Sequence, residues 1–183
     1  MIETTADLFE TYRGRLVFRQ GIAWPNIYHL RLLAWTRGWR TPENRAVVAE
    51  SVRRLVRLSP IPAGSVRFKS RLVAPASFCM DDFCPDLAAL DSAHWMMWFH
   101  RMELLARLGV ARCIPELESQ AAALMKILAS GYGQFTLKLE QTYFRKWGAY
   151  TGLALENDWK DPQRRQNDLT FRSLLILDRL CST

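Results

Sequence analysis

Apolar residues recur along most of this chain at helical spacing, and prolines mark where each run starts again. Leu117, Ala121, Leu124 and Leu128 follow one another at steps of four, three and four, which puts them on one face of an α-helix. Val48, Val52, Leu55 and Val56 form a similar stripe after Pro42. Thr41 offers an N-cap oxygen to that helix, and Pro42 at its first position gives up only an N–H that has no intrahelical partner. Three times an apolar, tryptophan-bearing stretch runs into a polar turn and then a proline, at Pro42, Pro115 and Pro162, and a new apolar period follows. A leucine stands thirteen positions after each proline, at Leu55, Leu128 and Leu175, a shared position that fits contact with a neighbouring hairpin. The pattern predicts three helical hairpins, near residues 24–58, 92–130 and 137–180, each able to bury its face only against a neighbour.

A leading helix is predicted from about Thr5. Asp7 and Glu10 lie in its early turns, where negative charge complements the helix dipole, and Gly14 weakens its later part. Residues 59–90 break the period. Pro60, Pro62, Pro75 and Pro85 with Gly64 exclude a long helix there, and Val66–Leu72 alternates as an extended arm would. The expected fold is all-α: one helical-repeat domain over residues 1–183, with three hairpins stacked in an arc. Such an arc is a partial α/α toroid or α-solenoid, here with a preceding helix and a long Pro-rich loop.

The punctuation resembles the α/α-toroid repeats of terpenoid cyclases and protein prenyltransferases. The residues that carry the likeness are Leu104-Leu105-Ala106-Arg107-Leu108-Gly109, the helix begun by Pro115, and the exit Ser130-Gly131-Tyr132-Gly133-Gln134-Phe135. It covers roughly residues 24–58 and 92–180. A closed ring in that family needs about twice as many hairpins as this chain offers, so the resemblance implies half a ring, a cap, or a piece of something larger. It also implies chemistry. Asp81-Asp82 is similar to the acidic clusters of terpenoid enzymes, although the Asp-x-Asp-Asp form is missing. Asp82-Phe83-Cys84 matches the Asp-x-Cys half of a prenyltransferase zinc site, with His94 the nearest histidine and not in the family's place for it.

Composition narrows the picture. With 49% hydrophobic and 23% charged residues, 183 residues can bury a real core. Charged residues interrupt every apolar run before membrane-spanning length, and the acidic start has no signal-peptide character. A cytoplasmic protein is the expectation, with Cys79, Cys84, Cys113 and Cys181 as free thiols. The net charge of +7 is uneven: residues 1–75 hold 13 Arg/Lys against 5 Asp/Glu, and residues 76–183 hold 12 against 13. A basic first part can attract phosphates, nucleic acid, an anionic membrane or an acidic partner.

The candidate chemistry follows. Asp81 and Asp82 are the candidate catalytic acids, and Asp82, Cys84 and His94 the candidate metal ligands. No cofactor is specified outright; Mg2+ or Zn2+ would suit these donors. Trp24, Tyr28, Trp95, Trp98, Trp147 and Tyr150 are the expected lining of an aromatic concave face, and core packing is the competing role for each. The two histidines of His94–His100 stand six apart, on different helix faces, as core histidines would. Arg67, Lys69 and Arg71, with Phe68 among them, are the candidate anion-binding set. No phosphate-binding glycine loop, His-Glu-x-x-His helix or nucleophile elbow is present. These features favour a non-catalytic binding or assembly module that holds a partner protein or a second copy of itself. An isoprenoid-diphosphate-binding protein or prenyltransferase-like enzyme is the alternative, and nucleic-acid binding through the basic first part is a third reading.

Overall fold

The computed structural model describes residues 5–19, 21, 27–62, 65–73, 82–140, 142, 144, 155 and 159–181. The candidate residues Trp24, Asp81, Trp147 and Tyr150 lie outside the described residues, and of Tyr28 only the backbone is described. The chain divides into two compact units, Met1–Cys84 and Pro85–Thr183.

The first unit overturns the all-α expectation, because it carries a four-stranded mixed sheet in the order β1-β2-β3-β4. The leading helix is a single turn, α1 (Thr5–Leu8), after which the chain forms strands β1 (Phe9–Tyr12) and β2 (Arg15–Phe18). These pair antiparallel, with Phe9 opposite Phe18 and Tyr12 opposite Arg15. Arg13 and Gly14 between them have φ of 51° and 71°. Two consecutive left-handed residues are what a two-residue hairpin turn needs to match the strand twist. Gly14 therefore turns a hairpin, where a weakened helix was expected.

Two helices follow, α2 (Ile27–Trp35) and α3 (Pro42–Leu58). Thr41 Oγ1 accepts from the Asn44 amide at 3.3 Å, with Pro42 in the first turn. The stripe of Ala49, Val52, Leu55, Val56 and Leu58 is buried. Strand β3 (Ser65–Phe68) then pairs parallel to β2, Val17 opposite Ser65 and Phe18 opposite Val66. Parallel neighbours require a crossover of a dozen or more residues. The helix pair is that crossover, not the first repeat of an arc. The expected extended arm is a second hairpin, β3 with β4 (Arg71–Val73), turned at Lys69, whose φ is 54°.

Among its described residues the second unit is helical. Asp86 caps a short 3₁₀ turn (Leu87–Ala89), and Asp91 caps α4 (Ser92–Leu108), which ends on the left-handed Gly109. A second 3₁₀ turn (Ala111–Cys113) leads to α5 (Pro115–Ser130), and α6 (Pro162–Cys181) packs on both α4 and α5. Trp95, Trp98, Phe99 and Phe135 make the aromatic centre of this core. The Trp95 ring lies 5.4 Å from those of Trp98 and Phe99 and 5.1 Å from Phe135. Leu137–Glu140 is irregular, and most of the stretch expected to form the first helix of the third hairpin lies outside the described residues. The leucines after the prolines are not equivalent, since Leu55 and Leu128 are buried and Leu175 is only partly so.

Candidate functional site

Cross-strand partners share a face of a sheet, so the register of the first unit sorts its side chains. Phe9, Phe18, Val66 and Val73 form one row across all four strands. Its inner half is closed: Phe9 and Phe18 are buried, with ring centroids 4.6 Å apart. Its outer half is open, Val66 being 41% and Val73 50% exposed. Phe68, two residues beyond Val66 and therefore on the same face, is 63% exposed. Arg71 is its cross-strand partner. Lys69, at the turn, holds its Nζ over the Phe68 ring, 5.8 Å from the centroid.

Arg67 belongs to the opposite face, with Glu10, Tyr12 and Val17. Its guanidinium stands 4.3 Å from the Tyr12 ring centroid, and its Nη1 is 3.8 Å from Glu10 Oε1. Its Nε also donates to the Lys69 carbonyl at 3.3 Å. Arg67 is thus committed to bracing β3 towards β1 and fixing the turn. The sequence groups Arg67, Lys69 and Arg71 as one anion-binding set; the strand pleat separates them, leaving Lys69 and Arg71 beside the exposed ring.

The acid and thiol candidates serve local structure. Asp82 Oδ1 accepts from Ser59 Oγ and from the Cys84 amide, both at 2.9 Å, while Ser59 Oγ accepts from the Phe83 amide at 2.7 Å. These bonds tie the end of the first unit to the C-terminus of α3. Cys84 is a half-buried free thiol. His94 lies in the second unit, exposed on the first turn of α4. Its amide donates to Asp91 Oδ1 at 2.9 Å, and its ring Nδ1 is 2.8 Å from the same oxygen. The amide bond first, then the ring, hold the Asp91 carboxyl below its ordinary value. His100, six positions on, is buried. Among the described residues no three His, Cys, Asp or Glu side chains come together as a metal-binding group.

Trp95 and Trp98 are each 1% exposed. Trp98 Nε1 donates to Gln120 Oε1 at 2.9 Å, and Gln120 Nε2 donates to the Pro85 carbonyl at 2.9 Å. These two rings fill the core and line no open face.

One polar group escapes the sequence reading. Arg172, buried in α6, places Nη1 2.6 Å from Glu103 Oε2 of α4, and Glu103 Oε1 also takes Arg107 at 3.1 Å. Nearby on α6, Asp168 accepts from the Leu155 amide at 2.8 Å and from Trp159 Nε1. Burial pulls the Arg172 guanidinium below its ordinary value, opposed by the charges of Glu103 and then Asp168. The only signal in the sequence is position: Arg172 shares the helical stripe of Leu169, Ser173, Ile176 and Leu180. Because the carboxylates of Glu103 and Asp168 are already occupied, the cluster fastens α6 to α4. Among the described residues no helix is long and apolar enough to cross a membrane. Comparison with protein-family models, with curated proteins and with solved structures finds no match to this chain.

Proposed function

We propose that this chain is a non-catalytic binding module that takes a polyanionic ligand on the outer half of the first unit's sheet. The observation that carries this reading is Phe68, an aromatic ring left 63% exposed between Lys69 and Arg71. Single exposed apolar residues are ordinary. Here Val66, Phe68 and Val73 adjoin one another on one face, and the charges set beside them are both positive. That face offers charge and contact area, and its described strand positions hold no acid for proton transfer. The unit as a whole adds a long-range field, with 13 Arg/Lys against 7 Asp/Glu over residues 1–84.

Inorganic polyphosphate tests the reading. Its binding, followed by calorimetry at low salt, should weaken about tenfold or more in the double variant Lys69→Glu/Arg71→Glu, with a shallower dependence on salt because fewer counterions are released. Both side chains are exposed, so circular dichroism should be unchanged. Binding that ignores the double reversal, or no binding at low salt, would refute the proposal.

A further inference from the structure

Resting on that reading, we propose that the polyanion is a single-stranded nucleic acid, with a base stacked on Phe68 and its flanking phosphates held by Lys69 and Arg71. The ring is what selects among polyanions. Polyphosphate would draw on the cations and gain nothing from an exposed aromatic ring, whereas every nucleobase has a π-face that stacks on one. In a duplex those faces are occupied by neighbouring base pairs, so the site suits an unpaired strand.

The geometry around the ring supports this. Val66 lies two residues from Phe68 on β3, and Val73 lies opposite Val66 on β4, so two further exposed apolar side chains adjoin the ring on the same face. Positions two apart on a strand are separated by about 6.6 Å, so neighbouring unstacked bases can lie over Phe68 and Val66 in turn. Lys69 holds its Nζ over the ring from the turn, and Arg71 stands opposite Phe68 on the partner strand, so an incoming base that displaces the ammonium from the ring leaves both cations beside its phosphates. On the reverse face Arg67, held by Glu10 and Tyr12, braces the hairpin and lowers the ordering cost of binding. An anionic membrane would ask for the opposite order, an apolar residue at the tip with cations behind it. Here Lys69 occupies the turn and Phe68 stands behind it on the sheet face.

The full-length protein is titrated against a fluorescein-labelled homothymidine strand, the corresponding duplex, inorganic polyphosphate and phosphatidylserine vesicles. The single strand should bind more tightly than the duplex. Phe68→Ala and Phe68→Leu should weaken single-strand binding about tenfold while leaving polyphosphate binding unchanged, and Phe68→Trp should retain it. Single-strand affinity indifferent to Phe68→Ala, with polyphosphate binding intact, overturns this inference and spares the reading beneath it. Failure to bind any polyanion overturns both. Tighter, Phe68-dependent binding to vesicles than to the single strand overturns the nucleic-acid assignment in favour of a membrane.

Discussion

Arg172 shows how a single residue can decide the fit of two helices. Its charge is buried in the contact between α4 and α6, and Glu103 is the partner that makes that burial tolerable. The two ends of the pair are not equivalent. Removing Arg172 leaves Glu103 still bonded to Arg107 on its own helix, whereas removing Glu103 takes from a buried guanidinium the carboxylate that does most to hold its charge, ahead of Asp168. Glu103→Ala should therefore destabilise by about 3–5 kcal/mol, clearly more than Arg172→Met. The double variant Glu103→Leu/Arg172→Met should recover part of the loss, because the buried guanidinium is then gone together with its nearest carboxylate. Urea unfolding of the three variants measures this, and equal effects of the two single changes would contradict the asymmetry. Residue roles of this kind were only partly legible in the sequence. Thr41, Pro42 and Pro115 could be placed at helix starts because capping depends on the residue and its nearest amides. Which face of a ring is covered depends on distant chain. Sequence leaves Trp95 and Trp98 between a ligand face and the core, and they are core, whereas Phe68, set among cations as a ring that can stack on a base, is exposed.

Elements are legible to the extent that their bonds are local. The helices α3, α4, α5 and α6 begin close to where proline and cap positions predict. Half of the sheet escapes the sequence because the β2–β3 pairing joins residues almost fifty positions apart, and nothing in a four-residue strand announces a parallel partner; the local β1–β2 hairpin escapes it because Asp7 and Glu10 also suit the first turns of a helix. Alternation over Val66–Leu72 showed extended chain; the φ of 54° at Lys69 that folds it into a hairpin falls on a residue type that carries no turn signal. Gly131 is the contrary case, a stop signal with a steric reason. A Cβ there would sit 2.2 Å from the Gln134 carbonyl oxygen and 2.9 Å from Thr136 Cγ2. The turn cannot readily yield, since the Gln134 amide donates to the Gly131 carbonyl at 3.0 Å and the Gly133 amide to Leu128 at 2.8 Å. Gly131→Ala should cost about 1–3 kcal/mol, as overpacking generally does, and lower the melting temperature by several degrees. An unchanged melting curve would mean that the exit from α5 is looser than this geometry requires.

At the scale of the whole molecule, repeat-like punctuation and repeat architecture part company. The three proline-marked stretches look alike because helix entry has the same local physics everywhere, yet the first serves as a crossover between strands and the second as part of a helical core. Charge divides along the same line: residues 85–183 hold 12 Arg/Lys against 11 Asp/Glu, near balance, so the excess belongs to the sheet-bearing unit. The second unit has the means to fold by itself. Its aromatic centre, its Glu103–Arg172 pair and the bonds from Gln120 to Pro85, Phe135 to Thr170 and Glu140 to Ser92 all close within it. Roughly 100 residues is also an ordinary domain size. Residues 85–183 expressed alone should therefore give a strongly helical circular dichroism spectrum and one cooperative thermal transition. Their tryptophan emission should be blue-shifted, since Trp95, Trp98 and Trp159 are buried, and the fragment should show no salt-dependent affinity for polyphosphate. A fragment that melts without cooperativity, or emits like exposed indole, would show that this core depends on the first unit. A fragment that folds and still binds polyphosphate as the whole chain does would move the ligand away from the β3–β4 hairpin.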